Sequence, residues 1–484
     1  MKPRSLLILH PFMFWALTSA VLLSGCMSVG PDYVVPEPEV QPSWHAGMVQ
    51  GLNTGRTDPV RLARWWDTLG DPGLTALMER AVKNNLDLRQ AVSRVREARA
   101  QRFIARSGFF PTLDAGGSVT RSSGSENTGS GQSRTFYSAG LDAGWEIDLF
   151  GGVRRSVEAA DADLQASRES LHDVLVSLTA ETGLNYIELR TYQARLAVAE
   201  TNLKNQEASY KLTRERYEAG LTDELDVQQA LTSLESARSR MPGLRTGIEE
   251  SKNRLAALLG MQPGELHREL EQAGPVPVVP HSVAVGVPAD TLRQRPDVRR
   301  AERELAAQTA RVGTATAELY PRLTLSGSIG LEALNSGELF TSGARSGSYG
   351  PRLSWPLFHA GAIRQNIEMQ DARQEQALIA YESSVIGALE EVENALTAYG
   401  GEQRRRESLS SAAAAAGAAY ELAHVKYEAG LTDFSTLLDA QRSLLALQDE
   451  LATCDGTVTS NLVRLYKSLG GGWSSDAADE RENH

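Results

Sequence analysis

The chain repeats itself at an offset of 210 residues: Asp87 recurs as Asp297, Ala91 as Ala301, Pro111 as Pro321, Leu113 as Leu323, Trp145 as Trp355 and Gly151 as Gly361, without a gap. The register continues through Tyr217-Glu218-Ala219-Gly220-Leu221-Thr222-Asp223, which returns unchanged as Tyr427-Glu428-Ala429-Gly430-Leu431-Thr432-Asp433. It closes with Leu259-Gly260 against Leu469-Gly470. Seven consecutive identities in register exclude coincidence, so both halves must fold alike. The copies are residues 67–260 and 288–470, joined by a Pro-rich stretch at 261–287 that holds Pro263, Pro275, Pro277 and Pro280.

Each copy opens with apolar and alanine positions at helical spacing, stopped by Pro111 or Pro321. Strict alternation follows. Leu113, Ala115, Gly117 and Val119 oppose Asp114, Gly116, Ser118 and Thr120; beyond a Gly/Ser/Asn/Thr loop, Leu141, Ala143, Trp145, Ile147 and Leu149 oppose Asp142, Gly144, Glu146 and Asp148. In the second copy Leu323, Leu325, Ile329 and Leu331, then Leu353, Trp355 and Leu357, do the same. The spacing predicts β-hairpins at 111–150 and 321–359. Strands of about ten residues, apolar on one face and small or polar on the other, match transmembrane β-strands, and a half-exposed soluble sheet shares the pattern.

After each hairpin the chain runs free of proline, from Val153 to Ala219 and from Gly361 to Ala429. At 1.5 Å per residue the first stretch makes about 100 Å of helix, beyond any globular helix and suited to a coiled coil or helical tube. Gly220 and Gly430 suit a left-handed stop, and Thr222-Asp223 and Thr432-Asp433 are cap candidates, so 217–226 and 427–439 are hairpin tips followed by return helices to Gly260 and Gly470. A Gly stop and a cap do not require the same Tyr, Glu, Leu and Asp twice. That excess identity points to a repeated docking contact at Gly220, Leu221, Thr222, Gly430, Leu431 and Thr432, presented in two copies per chain, and stable folding of two like turns is the other explanation it admits.

The N-terminus reads as an export signal over 1–25: Lys2 and Arg4, an apolar run from Phe12 to Leu23, then Leu23-Ser24-Gly25-Cys26. The small residues before the cysteine resemble a bacterial lipobox, which would make Cys26 the lipidated first residue of the mature chain, and Met27 rather than Asp after it favours the outer membrane. No later segment offers 18 consecutive apolar residues, so no spanning helix is expected. With 49 Lys and Arg against 61 Asp and Glu, the net charge of −12 has the wrong sign for a nucleic-acid partner. Four strands per chain cannot close a membrane barrel and an open edge is not tolerated in lipid, so the chain must oligomerise. Three copies give twelve strands, while two give a barrel too narrow to continue into a wide helical tube.

These segments, with Trp65-Trp66, Asp71-Pro72-Gly73-Leu74, Asn84-Asn85-Leu86-Asp87-Leu88, Leu292-Arg293-Gln294-Arg295-Pro296-Asp297-Val298, Ala301-Glu302 and Tyr320-Pro321, resemble outer-membrane factors of the TolC/OprM type, specifically the lipoprotein branch that partners resistance-nodulation-division (RND) pumps. The resemblance covers Cys26 to Gly470. It implies an α+β membrane tunnel: a homotrimer closing a twelve-strand β-barrel in the outer membrane, continuous with a periplasmic α-helical barrel. It also implies contact with a periplasmic adaptor and, through it, an RND-type pump. By the same resemblance residues 26–66 run as a lipidated segment along an equatorial band, 261–287 belong to that band, and 471–484 form a disordered tail.

Carried over residue by residue, Tyr427 matches the tip tyrosine of the periplasmic gate, Asp226 the first-repeat acid it faces, and Asp439 an acid of the constriction ring. Two positions depart: Thr432 stands where some relatives place an arginine that pairs with that acid, and Thr436 replaces a second ring acid. Rival classes are an enzyme, a coiled-coil lipoprotein adaptor and the outer-membrane factor of a type I protein secretion system. His45, His172, His267, His281, His359, His424 and His484 show no metal spacing, and GxSxG, GxGxxG and P-loop motifs are missing, so neither catalysis nor a cofactor beyond the lipid on Cys26 is expected. An adaptor has no need of two membrane-type hairpins.

Overall fold

The computed structural model describes residues 28–128 and 131–474; the export signal, Cys26 and the last ten residues lie outside them. The first copy is preceded by β1 (Leu52–Asn53), α1 (Pro59–Ala63) and a 3-10 turn at Trp65–Leu69. It comprises α2 (Pro72–Asn84), α3 (Leu86–Ser107), β2 (Thr112–Ser123), β3 (Ser133–Ile147), α4 (Gly152–Glu218) and α5 (Glu224–Leu258). After β4 (Val283–Ala284), the second copy repeats the order with α6 (Pro288–Gln294), α7 (Pro296–Ala317), β5 (Arg322–Ala333), β6 (Arg345–Ser354), α8 (Ala362–Glu428) and α9 (Phe434–Ser468). Helices α4 and α8 have 67 residues each, and α5 and α9 have 35 each.

The duplication reaches individual hydrogen bonds. Trp145 Nε1 donates to Phe109 O and Trp355 Nε1 to Leu319 O, both at 3.0 Å. Ser118 and Ser138 share a 2.9 Å hydroxyl contact, as do Ser328 and Ser348. Where the residues differ, the contact survives by other means: Asn85 Nδ2 reaches Leu258 O at 2.9 Å, and Arg295, in the same place of the second copy, reaches Ser468 O at 2.7 Å. A helix C-terminus leaves carbonyls without intrahelical partners, and both copies answer with a side chain from the start of the neighbouring helix.

One compact unit, residues 28–37, 95–167 and 300–382, holds an antiparallel sheet in the order β2-β3-β5-β6. The copies join at β3 and β5, from Tyr137 opposite Ala333 to Ile147 opposite Leu323. Gly140 faces Gly330 there; a Cβ on either would lie 2.9 Å from a carbonyl oxygen of the facing strand, so the seam requires glycine. Leu113, Ala143 and Gly327 align on one face, as do Ala115, Leu141 and Ile329; the other face carries Asp114, Asp142 and Ser328 in line. The apolar face is exposed, and β2 and β6 are edge strands.

The strands are shorter at one end than the alternation predicts. Strand β3 stops at Ile147, leaving Leu149 outside, and β6 stops at Ser354, leaving Trp355 and Leu357 outside. Asp148 is taken by the helix start: its carboxylate accepts from Val153 N at 3.2 Å, Arg154 N at 3.0 Å and Arg154 Nε at 3.1 Å, capping α4. In the second copy Pro356 has no N–H for a ladder.

Residues 28–37 belong to the strand-bearing unit, whereas 38–66 belong to the other. Val29 N bonds Phe150 O at 3.1 Å, Gly30 packs against Gly313, and the buried Arg155 guanidinium holds Val29 O at 3.1 Å and Asp32 at 2.6 Å. A buried cation needs such partners, and this segment supplies them.

The second unit holds residues 38–94, 168–299 and 383–474. Trp65, fully buried, stacks on Tyr466 at 5.7 Å and meets Trp66 edge to face at 5.8 Å. Strand β1 pairs in parallel with β4, so the segments 38–66 and 261–287 meet at a two-residue ladder. Residues 471–474 of the expected tail are placed, and the rest of it lies outside the described residues: Gly472 N bonds Leu62 O at 3.1 Å, and Trp473 stacks on His172 at 4.2 Å beneath the Arg299 guanidinium. Among the described residues no helix is long and apolar enough to cross a membrane, and no His/Cys/Asp/Glu group is placed to hold a metal ion.

Candidate gate at the hairpin tips

Both tips turn by the same backbone device. Gly220 has φ +73° and Gly430 φ +71°. Leu221 N bonds Arg216 O at 2.8 Å and Gly220 N bonds Tyr217 O at 2.9 Å; Leu431 N to Lys426 O and Gly430 N to Tyr427 O repeat this at 2.8 and 3.0 Å. This is the Schellman stop, with the left-handed residue at C′. Nothing crowds a Cβ at Gly220, so glycine is needed there for its dihedral and not for space.

The return helices are capped by the aspartates rather than by Thr222 and Thr432. Asp223 Oδ1 accepts from Asp226 N at 3.1 Å. Asp433 Oδ1 accepts from Thr436 N at 3.0 Å, Thr436 Oγ1 at 2.7 Å and Ser435 Oγ at 3.0 Å. The Thr436 hydroxyl and N–H and the Ser435 hydroxyl hold the Asp433 carboxyl below its ordinary value. Thr222 instead donates its hydroxyl to Asp226. The tip leucines point to solvent, Leu221 67% and Leu431 77% exposed.

The tips differ in what lies beneath. Tyr427 is 2% exposed, in a cluster with Ala230, Tyr420, Ala423, Phe434, Leu437, Leu438 and Leu444. Its ring lies 5.6 Å from Phe434, its hydroxyl 3.3 Å from Thr213 Oγ1, and its carbonyl accepts from Arg216 Nη1 at 2.7 Å. The Arg216 guanidinium covers the ring face at 4.7 Å. A hydrogen bond from a charged donor contributes about 1.5–3 kcal/mol. Tyr217, the counterpart, is 44% exposed.

Within the chain Tyr427 and Asp226 each have a different side-chain partner. Thr213 takes the tyrosine hydroxyl and Thr222 takes the carboxylate, because Tyr427 turns inward onto α4. Asp439 is exposed on α9, and Thr432 and Thr436 leave that region without the arginine and the second ring acid. Thr213, Arg216 and Phe434 escape a search for identity between copies. Their signal is divergence beside the identical block: Ala423, Lys426 and Glu224 stand in the corresponding places.

The sequence model of the outer membrane efflux protein family matches twice, over residues 77–261 and 287–471. The toluene efflux pump outer membrane protein TtgI of Pseudomonas putida is 33% identical over 460 residues, 94% of this chain and 97% of that protein. Nodulation protein T of Rhizobium leguminosarum bv. trifolii is 34% identical over 441 residues, 90% of this chain and 91% of its own length. Among solved structures, the outer-membrane channel OprN superposes with a TM-score of 0.86 at 37% identity, covering 92% of this chain and 99% of that one. The open state of the MtrE channel of Neisseria gonorrhoeae gives 0.81 at 30%, covering 92% and 98%.

Proposed function

The chain belongs to the outer membrane efflux protein family, and from that premise we propose how its parts divide the work of an efflux channel. It is an outer-membrane channel with a large periplasmic portion, and its family consists of channels rather than enzymes. The observation that carries the finer reading is the sheet β2-β3-β5-β6, exposed on an apolar face and ending in an edge strand on either side. In hydrocarbon every backbone group needs an internal partner, so β6 of one copy pairs with β2 of the next. Three copies close twelve strands, with Asp114, Asp142 and the serines toward water and the leucines toward lipid.

The tips, with Leu221 and Leu431 outermost, dock a periplasmic adaptor that connects the channel to an RND-type pump. Cys26 carries a covalent lipid, and no other cofactor is assigned. Ser28, two residues on, packs against Gly151 just past β3, which suits an acyl anchor beginning beside the strands. The cargo is drugs or other small toxic compounds. Outer-membrane fractionation followed by electrophoresis with and without heating, together with planar-bilayer conductance, tests the reading. A heat-modifiable trimer that conducts is the expected result. A soluble periplasmic monomer would instead favour the coiled-coil adaptor.

A further inference from the structure

We propose that Arg216 is a positioning residue that keeps the second tip seated on α4, and that its release accompanies opening at this end of the channel. The proposal rests on the reading of the chain as a channel. Arg216 and Thr213 lie three residues apart on α4 and hold Tyr427 from two sides, the guanidinium on its ring and carbonyl, the hydroxyl on its phenol. The carbonyl that Arg216 holds also accepts Gly430 N–H, so the clasp grips the peptide on which the tip turn is built. Moving the tip away from α4 breaks the cation–carbonyl bond, uncovers the ring face and exposes a buried tyrosine together. Interactions that break in one step give two states rather than a graded movement.

The clasp is also built to release. Arg216 Nε is buried with no hydrogen-bond partner, so the guanidinium is incompletely satisfied in place and recovers water when it leaves. Among the described residues the device occurs at the second tip and not at the first. In the second copy Lys426 stands in the corresponding place, exposed, and the first-copy tyrosine is not buried. A lysine has neither the planar fork nor the stacking surface that Arg216 uses.

The test compares full-length wild type with Arg216→Ala, Arg216→Lys and, as control, Lys426→Ala in planar bilayers, with trimer yield and thermal stability measured in parallel. Arg216→Ala is expected to raise the resting open probability about tenfold with the trimer still assembled, Arg216→Lys to fall between it and wild type, and Lys426→Ala to match wild type. An Arg216→Ala channel that rests like wild type, or a Lys426→Ala channel as leaky as it, overturns the clasp. Should Arg216→Ala fail to assemble, Arg216→Lys decides, and wild-type gating in that variant overturns it. Silence of the wild type and every variant would remove the channel reading itself, whereas a conducting wild type indistinguishable from Arg216→Ala removes only the clasp.

Discussion

Tyr217 and Tyr427 occupy the same place in an identical seven-residue block, yet Tyr217 is 44% exposed and Tyr427 is 2% exposed. Phe434 of the second tip packs where the first has Glu224, and Arg216 closes over Tyr427 where the second copy offers Lys426. Tyr427→Ala should therefore destabilise the protein by about 3 kcal/mol, as removal of a buried aromatic does. Tyr217→Ala should stay within about 0.5 kcal/mol. Denaturant unfolding of the assembled protein measures both, and equal losses would contradict the asymmetry.

Asp439 is exposed on α9, three residues after Thr436. Three copies around one axis would attract cations into the aqueous path. Reversal potentials across a salt gradient should show a cation-preferring wild type and a weaker preference in Asp439→Ala. With Thr432 in place of an arginine, closure should also vary less with salt than in relatives that keep the ion pair. An anion-preferring wild type would remove Asp439 from the gate.

Lipidation of Cys26 should be visible as incorporation of labelled palmitate that Cys26→Ser abolishes. The variant should nevertheless stay in the outer membrane, because an acyl chain is a weak anchor beside a spanning barrel. Label retained in Cys26→Ser would place the lipid elsewhere.

Acid sensitivity should centre on Asp297. Burial pushes its carboxyl up, but the hydrogen bonds and charge of Arg295, with the Val298 N–H, outweigh that and hold it below its ordinary value. A depressed carboxyl contributes stability that is fully present above its unfolded value near 3.9 and is lost as pH falls through the folded one. Asp297→Asn should cost about 2 kcal/mol at neutral pH, with the gap to wild type closing below about pH 4. Melting temperatures from pH 7 to 3 test this; a constant gap would assign the loss to packing instead.

The architecture was legible because it is periodic: the 210-residue offset, alternation in the strands and the length of α4 and α8 each follow from backbone geometry. Strand ends were less so, since Asp148 and Pro356 decide them by capping and by a missing donor rather than by hydropathy. The tip was legible only where the copies agree. Gly220, Gly430 and the capping aspartates do the same work twice, whereas the burial of Tyr427 depends on Thr213, Arg216 and Phe434, each meaningful only once α4, α8 and α9 are placed together. The seat of residues 28–37 was hidden for a similar reason, because it is set by Arg155, more than a hundred residues away in the chain.

The seam between β3 and β5 joins the last strand of one copy to the first strand of the other, and pairing of β6 with the next chain's β2 would join strands in that same order. A ring of unfused half-length chains would have only one kind of junction, and any substitution would be inherited at every tip alike. Covalent fusion lowers the rotational symmetry while leaving the hairpin order unchanged. It frees one tip to diverge without burdening the other, and a buried Tyr427 alongside an exposed Tyr217 is a difference that only the fused gene can inherit.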